Sequence, residues 1–223
     1  QVLEIDPRYA PAWAELAKNF TNKADFGLLP TSEGLARARE ANEKALEIDP
    51  NYAPAHSGLG VIAMFDNDLA SAAKNFERAL ALDPNDLDVL GNVALFLQSL
   101  GRLQETLALE EAIVRRDPVN VTALFNLGHI QQFSGQFDAA IASQRSVLNL
   151  SPGRVSSHNN ICMVMLLKGD APAALAEIEQ EKNEAYRLIG LPMVYHALGR
   201  KTESDAALAT LIAKFEKDGP YNI

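Results

Sequence analysis

Three asparagine side chains recur along this chain at one fixed interval. Asn92, Asn126 and Asn160 are each separated by 34 residues. An amide side chain both donates and accepts hydrogen bonds, so a single Asn can pair with the C=O and the N–H of an extended peptide backbone. A row of such amides would form a ladder that follows a bound peptide without reading its side chains.

Residue types that serve catalysis or metal binding are dispersed. The four histidines are His56, His129, His158 and His196. Cys162 is the single cysteine, so the chain can form neither an intramolecular disulfide nor the paired spacing of a zinc or redox site. Because no phosphate-binding loop and no nucleophile with a paired base occurs, we expect no enzyme, no cofactor and no metal.

Charge and composition restrict the possible partners further. A net charge of −9 and a pI near 4.9 argue against nucleic acid, whose phosphates are bound by clustered Lys and Arg. The hydrophobic content of 48% with 22% charged residues is that of a globular protein. No apolar stretch approaches the roughly 20 residues that span a bilayer, so no membrane insertion is expected. The first seven residues lack signal-peptide character, and we expect a cytoplasmic protein while leaving the periplasm open.

The elements that carry these residues repeat with the same period. Four prolines, each after an Asp or a Ser, also stand 34 residues apart: Asp49-Pro50, Asp83-Pro84, Asp117-Pro118 and Ser151-Pro152. A fixed period of this length is typical of a helical repeat array. Within a unit, two apolar runs are separated by a turn, and most of these turns contain a glycine: Gly101, Gly135, Gly169 and Gly199. Each unit is therefore predicted to be a helix, a turn, a second helix and a proline stop.

Aligning the prolines divides the whole chain into units of one continuous array. The predicted division is the end of a preceding repeat at 1–9, repeat 1 at 10–52 with an insertion at 21–32, repeats 2 to 5 at 53–86, 87–120, 121–154 and 155–184, an irregular repeat 6 at 185–218, and the start of a further repeat at 219–223.

Repeat 2 carries a characteristic pattern at eight of its places: His56, Leu59, Gly60, Ala63, Ala72, Phe76, Ala79 and Pro84. Together with the period, this pattern resembles the tetratricopeptide repeat family. The resemblance implies an all-α fold, a right-handed superhelical solenoid of antiparallel helix pairs with about six repeats. The implied function is a protein-interaction scaffold without catalysis. Small residues at facing places, such as Gly60 with Ala72 and Gly128 with Ala140, are expected to let the two helices approach closely.

In this family the first helix of each unit lines a concave groove. The rule places the three asparagines in the groove, in an arrangement similar to the asparagine ladders in the repeat region of O-linked sugar transferases, although no transferase activity follows. Asn is also common at this place in the repeats generally, so the alternative is that the amides are only repeat consensus. The predicted peptide-binding residues are Asn92, Asn126, Asn160, Phe125, His129, Phe133, Leu95 and Met163.

The same register assigns packing roles to the remaining candidates. His56 and His158 fall between the helices of their units, where we expect packed, hydrogen-bonded histidines. Cys162 falls at a small-residue place and is expected to be a buried hydrophobe. A solvated outer face is expected for three acidic residues of a second helix: Glu105, Glu110 and Glu111.

Two departures from the repeat predict local irregularities. The step from Asp6 to Asp49 is nine residues longer than the others, which places an apolar insertion at 21–32 that either folds back on the repeats or is a tolerated surface loop. In repeat 6, Pro192 falls inside the first helix, where we expect a kink or a break. Repeat 5 lacks its terminal proline, so its second helix can extend to Glu184.

The expected partner is a protein or an extended peptide, but not a chaperone tail. The Lys and Arg that clamp the carboxylate of such a tail are missing from the second, fifth and sixth places of the inner helices, which hold Pro11, Ala14, Ser57, Asp88, Gly91 and Asn92. Residues 191–200 also resemble, more weakly, the repeat regions of large bacterial regulatory and cyclase-type proteins. This second resemblance implies an alternative function, a self-association or assembly module of a longer protein. Residues 1–7 and 219–223 read as pieces of neighbouring units, whose uncovered faces would associate.

Overall fold

The computed structural model describes residues 2–25 and 27–218, which form thirteen α-helices and no β-strand. The helices are α1 Val2–Ile5, α2 Ala10–Asp25, α3 Thr31–Ile48, α4 Ala53–Phe65, α5 Leu69–Leu82, α6 Leu87–Ser99, α7 Leu103–Arg116, α8 Val121–Phe133, α9 Phe137–Leu150, α10 Ser157–Leu167, α11 Ala171–Ile178, α12 Glu184–Ala197 and α13 Lys201–Asp218. The predicted all-α array of paired helices is confirmed. The predicted start of a further repeat at 219–223 lies outside the described residues. None of the helices in the described ranges is both long and apolar enough to cross a membrane.

The regularly spaced prolines stop the second helices, as predicted. α3, α5, α7 and α9 each end two residues before one of these prolines. A proline pushes the preceding residue out of the helical region, and Asp49 and Asp83 accordingly have ψ angles of 96° and 94°. Helix starts are capped by acidic side chains: the Asp86 carboxylate accepts a hydrogen bond from the Val89 N–H at 2.9 Å.

The turns within the helix pairs depend on residues that tolerate a positive φ. The four predicted turn glycines have φ angles between 72° and 79°. In the second pair the corresponding residue is Asn67, with φ 58°. Asn is the non-glycine residue that adopts this conformation most readily, which explains why this turn lacks a glycine.

The chain divides into two compact units, each of which contains several repeats: unit 1, residues 1–105, and unit 2, residues 106–223. In unit 1 the first helices α2, α4 and α6 pack in a row, and the second helices α3 and α5 pack against them. The interior consists largely of alanines, including Ala38, Ala45 and Ala55, around Ile62, all with no exposed surface. Small side chains at these places allow the helices to lie close together.

Unit 2 contains a corresponding row of first helices, α8, α10 and α12, with the second helices α9, α11 and α13 packed against it. One of its apolar clusters is formed by Cys162, Ala174, Ile178 and Val194, all fully buried. The cluster joins α10, α11 and α12, so it connects two successive helix pairs of this unit.

Two glycines mark the points where the helices of a pair come closest. A Cβ built on Gly60 would stand 2.8 Å from the Phe76 ring, and one built on Gly128 would stand 2.7 Å from Gln144 Nε2. The predicted close approach is confirmed. However, the space is filled by these large side chains, four residues further along than the small Ala72 and Ala140 that were expected to face the glycines.

The nine additional residues of the first helix pair are distributed over both helices and their turn. α2 and α3 have 16 and 18 residues, whereas α4 and α5 have 13 and 14. Leu28, in the turn, is 71% exposed, so this apolar side chain does not fold back on the repeats.

Two expectations for the last third of the chain are wrong: a break of the helix at Pro192 and an extension of α11. α12 continues through Pro192, which is buried, so the helix is not broken there, and the kink that was expected as the alternative stays a prediction. α11 ends at Ile178 and does not extend to Glu184. The reason is Asn183, whose side chain caps α12 by accepting the N–H groups of Ala185 and Tyr186 at 3.0 and 3.2 Å.

Candidate binding groove

The first helices of unit 1 enclose a cavity of about 630 Å³, here called the unit 1 groove. α2, α4 and α6 supply almost all of its lining, and α3 contributes a single residue, Asn42. The volume lies within the roughly 300–1,000 Å³ that ligand-binding clefts usually have. The groove is therefore large enough to hold side chains of a bound molecule.

One wall of the groove is apolar and partly open to solvent. Val61 and Met64 on α4 are half-buried, and Phe65 and Leu95 are 45% and 43% exposed. The four side chains border one cavity, so they form a continuous apolar surface. Such a surface in a concave site is typical of a place where a ligand or partner binds.

The floor of the groove carries polar groups that are already partly paired. Ser57 on α4 is 1% exposed, and its Oγ accepts a hydrogen bond from Asn92 Nδ2 on α6 at 2.9 Å. This bond joins the first helices of two successive repeats within unit 1. Because Nδ2 is used in this way, the Asn92 side chain has its Oδ1 acceptor left for other contacts.

An ion pair crosses the rim of the groove. Lys18 Nζ on α2 lies 2.8 Å from Asp88 Oδ2 on α6, and both side chains are more than half exposed. Burial lowers the pKa of Lys18, but the hydrogen bond and charge of Asp88, with Glu15 and Asp86, outweigh this effect and raise that pKa above its usual value. An exposed pair of this kind adds little stability, but it links the two sides of the groove and sets the charge at its edge.

The predicted peptide-binding residues are divided between the two units. Asn92 and Leu95 line the unit 1 groove. In unit 2, Phe125, His129 and Asn160 form a cluster in which the rings of Phe125 and His129 are 4.8 Å apart and Arg154 lies 4.7 Å above the Phe125 ring. Asn160 is 9% exposed, and its Nδ2 donates to His129 Nε2 at 2.8 Å. Burial lowers the pKa of His129, which keeps this ring nitrogen free to accept.

The other predicted residues of unit 2 differ in exposure. Phe133 is 59% exposed, whereas Met163 packs against the fully buried cluster around Cys162. Asn126 hydrogen-bonds the carboxyl of Glu110. The three asparagines thus share a period but not an environment, since each bonds to a different kind of group.

The expectation that Glu110 lies on a solvated face is wrong. This side chain is 2% exposed, whereas the neighbouring Glu105 is exposed and Glu111 is partly exposed, and both are paired with arginines. Burial raises the pKa of Glu110 to about 7, and the hydrogen bond with Asn126 offsets part of the rise. Glu110 therefore lies on the buried side of α7, although a charged side chain is usually found on the solvent-exposed side.

His158 and Cys162 have the packing roles expected of them. His158 Nδ1 lies 2.6 Å from Glu177 Oε1, and the nearly buried Glu177 also binds Arg145 through both carboxylate oxygens. Cys162 is fully buried, and burial, with the charge of Glu177, raises the pKa of its thiol to about 12. A thiol in this state is a poor nucleophile.

The family rule places Ser57 and Asp88 on the inner surface, but neither was among the predicted peptide-binding residues. Asn42 and the pairing of Asp88 with Lys18 were not predicted. The ion pair joins residues 70 positions apart, and Asn42 belongs to a second helix, so neither could be inferred from the repeat period.

Family comparison agrees with the repeat pattern and the helix pairs. Models of the tetratricopeptide repeat match the chain at residues 53–86 and at residues 121–154. The chain therefore contains tetratricopeptide repeats in these two ranges. The repeats belong to a class that serves as protein-interaction scaffolds, and this is the general function to which the match points. No curated protein sequence matches the chain.

Solved structures share the tetratricopeptide fold over most of the chain. PilW, described as a widely conserved type IV pilus biogenesis factor, is 21% identical with a TM-score of 0.76, over 93% of this chain and 94% of that chain. PilF of Pseudomonas aeruginosa is 19% identical with a TM-score of 0.69, over 95% and 92%. YrrB, described as a TPR protein with an unusual peptide-binding site, is 21% identical with a TM-score of 0.57, over 84% and 94%. At these identities the likeness concerns the fold alone.

Proposed function

We propose that this protein binds an extended peptide segment of a partner protein in the unit 1 groove. The observation that carries the proposal is the combination, in one cavity of about 630 Å³, of an apolar wall and amide groups on neighbouring first helices. An extended peptide presents side chains and backbone hydrogen-bonding groups in alternation, so it can use both kinds of surface at once.

The apolar wall would supply most of the affinity. Met64, Phe65 and Leu95 keep much of their surface in contact with solvent, and a ligand that covers them removes this apolar area from water. Met64 is unbranched and adapts to ligands of different shape, which suits a scaffold with a tolerant site. The affinity of such a groove is expected to depend on apolar side chains of the peptide.

Of the three periodic asparagines, Asn92 is the one proposed to contact the peptide in the unit 1 groove. Asn92 lines the groove and can offer Oδ1 to a peptide N–H, while its Nδ2 stays on Ser57. Asn126 and Asn160 bond protein groups in unit 2, so a peptide contact there would have to use what remains of each amide. The cluster of Phe125 and His129, with Phe133 and Met163, is kept as a second candidate surface of unit 2.

A peptide as the ligand also fits one of the comparisons. The description of YrrB assigns that protein a peptide-binding site. The partner of the present chain is a separate question, and a cytoplasmic location likewise remains a proposal.

The proposal is tested with peptides selected on the chain from a library of displayed random 12-residue sequences, with Kd measured by calorimetry. Leu95→Glu places a charge in the groove wall and should weaken binding at least tenfold. Leu69→Glu is the matched control, because Leu69 is also 43% exposed but does not line the groove. Equal affinities of wild type and both variants, or no peptide enriched over a surface without protein, would remove the groove as the binding site.

Self-association is a second candidate function, supported by one helix. α13 has no fully buried side chain among its described residues, and its Leu208 and Ile212, one turn apart, are 46% and 48% exposed. An apolar strip of this kind can pair with a copy of itself. Light scattering over a concentration series tests it: wild type should show an increase of mass with concentration that Leu208→Glu with Ile212→Glu abolishes, and a constant monomer mass would refute it.

A further inference from the structure

One residue from a second helix reaches the floor of the unit 1 groove. Asn42 lies on α3 and is 1% exposed, yet its side chain borders the cavity that the first helices form. It does so because Gly58 on α4 has no side chain. A Cβ on Gly58 would stand 2.6 Å from Asn42 Nδ2 and 2.7 Å from Oδ1, so the amide lies in the space that a side chain at position 58 would fill. This gap beside Gly58 is here called the Gly58 window.

The amide oxygen behind this window is unsatisfied. Asn42 Oδ1 is buried and accepts no hydrogen bond from any described residue. Nearly all buried polar side-chain atoms in folded proteins have a partner, so an orphaned acceptor that faces a cavity points to a donor that arrives from outside. By contrast, the nearby Ser57 already accepts the Asn92 amide.

The groove favours an uncharged donor at this position. Two carboxylates line the groove, Glu15 and Asp88, and Asp88 is held at the rim by Lys18, whereas Asn42 Oδ1 is a neutral and buried acceptor. Placing an ammonium or guanidinium group there would carry the cost of an unpaired buried charge. A neutral amide N–H meets no such cost.

The shape of the window favours a backbone rather than a long side chain. Because a Cβ on Gly58 would stand 2.7 Å from Asn42 Oδ1, a donor that reaches this oxygen from the groove has to approach the main chain of Gly58 closely. A position without a Cβ is a usual device for letting another main chain approach closely. An extended strand can therefore pass over Gly58 with its N–H toward Asn42 and an adjacent side chain toward Val61 and Met64.

We propose that Asn42 Oδ1, reached through the Gly58 window, is an acceptor subsite for a backbone N–H of the bound peptide. The proposal rests on the proposed function, since it names the deepest contact of the same groove. The site selects for a secondary amide and against an N-methylated or proline residue at one position of the ligand. It is formed by a side chain of a second helix, in addition to the first helices that line the rest of the groove.

Two variants separate this role from a structural one. Asn42→Leu keeps the approximate shape of the side chain and removes the orphaned oxygen, so its melting temperature should equal or exceed that of wild type while ligand binding weakens. Gly58→Ala places a methyl group 2.6 Å from Asn42 Nδ2, so it removes the subsite by displacing the Asn42 amide as well as by filling the gap. Gly91→Ala is the matched control, because a Cβ on this helical glycine meets nothing within 4 Å.

The test uses two small probes in place of a partner protein. The first is N-acetyl-leucine methylamide, and the second is the same compound with both nitrogens methylated, which has no N–H. Binding is followed by NMR titration of the Met64 methyl group. We expect the first probe to bind wild type and Gly91→Ala at least fivefold more tightly than the second, and we expect Asn42→Leu and Gly58→Ala to abolish this ratio.

The possible outcomes distinguish the subsite from the groove. Equal binding of both probes to wild type would overturn the subsite and leave the peptide groove intact, because the apolar wall would still be occupied. An unchanged ratio in Asn42→Leu would overturn it as well. Failure of both probes to shift Met64 at 50 mM would also overturn it, whereas the proposed function is judged separately by the selected peptides and Leu95→Glu.

Discussion

At the scale of single residues, Glu110 has the most unusual environment among the ionisable side chains of unit 2. It is 2% exposed, its Oε2 has no hydrogen-bond partner among the described residues, and burial raises its pKa to about 7, with partial compensation from Asn126. The folded state therefore holds a proton that the unfolded state releases near the ordinary pKa of 4.5. This difference makes stability depend on pH.

The predicted direction follows from the raised pKa. The contribution of Glu110 to stability is complete below about pH 4.5 and is lost as the pH rises through about 7, with a total on the order of 2–3 kcal/mol. Glu110→Gln should remove this loss, so denaturant unfolding at pH 5 and pH 8 should differ less in the variant than in wild type. Glu111→Gln is the control, since the Glu111 side chain is 44% exposed and paired with Arg115. The same pH difference in wild type and Glu110→Gln would contradict the buried, proton-binding carboxyl.

The three periodic asparagines should behave differently when changed one at a time. Asn160 is nearly buried and bonds His129, so Asn160→Ala should lower the free energy of unfolding by about 1–2 kcal/mol and leave the peptide affinity of unit 1 unchanged. Asn92 lines the groove, so Asn92→Ala should weaken peptide binding. Chemical denaturation and calorimetry on both variants check this. Similar losses of affinity in both variants would favour a continuous ladder over separate roles.

At the scale of the helices, local sequence signals predicted starts, stops and turns well. Asp-Pro pairs and turn glycines act through their own backbone conformations, so their effects can be read without knowing the fold. The break expected at Pro192 and the extension of α11 were wrong because the outcomes depend on packing and on the Asn183 cap of the next helix. The same holds for Gly60, whose close neighbour Phe76 was identified as part of the repeat pattern but not as the group that fills this space.

The seam between α8 and α9 offers a direct test of the helix packing. Leu127 on α8 is 6% exposed, so Leu127→Ala should destabilise the protein by about 2–5 kcal/mol through lost burial and a cavity. Leu150→Ala is the matched control, because Leu150 ends α9 and is 45% exposed; it should cost less than about 0.5 kcal/mol. Thermal unfolding measures both. Equal melting temperatures for Leu127→Ala and wild type would show that the assigned register is wrong.

At the scale of the whole molecule, the repeat period predicted the all-α fold, and the resemblance to the tetratricopeptide family implied that a groove would lie on the first helices. Applied to this sequence, that family rule also identified Asn92 and Leu95, which do line the unit 1 groove. It did not identify Asn42, because a residue of a second helix reaches the groove only where the first helix has a glycine. Nor did it identify the pair of Lys18 and Asp88, since a contact between the first and the third repeat cannot be inferred from the repeat period.

The central claim is that a peptide binds in the unit 1 groove, and the four methionines allow it to be tested in one experiment. Met64 lines the groove, whereas Met163, Met165 and Met193 belong to unit 2. With all four methyl groups labelled, NMR titration with a selected peptide should shift the Met64 signal saturably at the calorimetric Kd and leave the other three nearly unchanged. A saturable shift confined to Met163, Met165 or Met193, with Met64 unmoved, would place the peptide elsewhere and contradict the account.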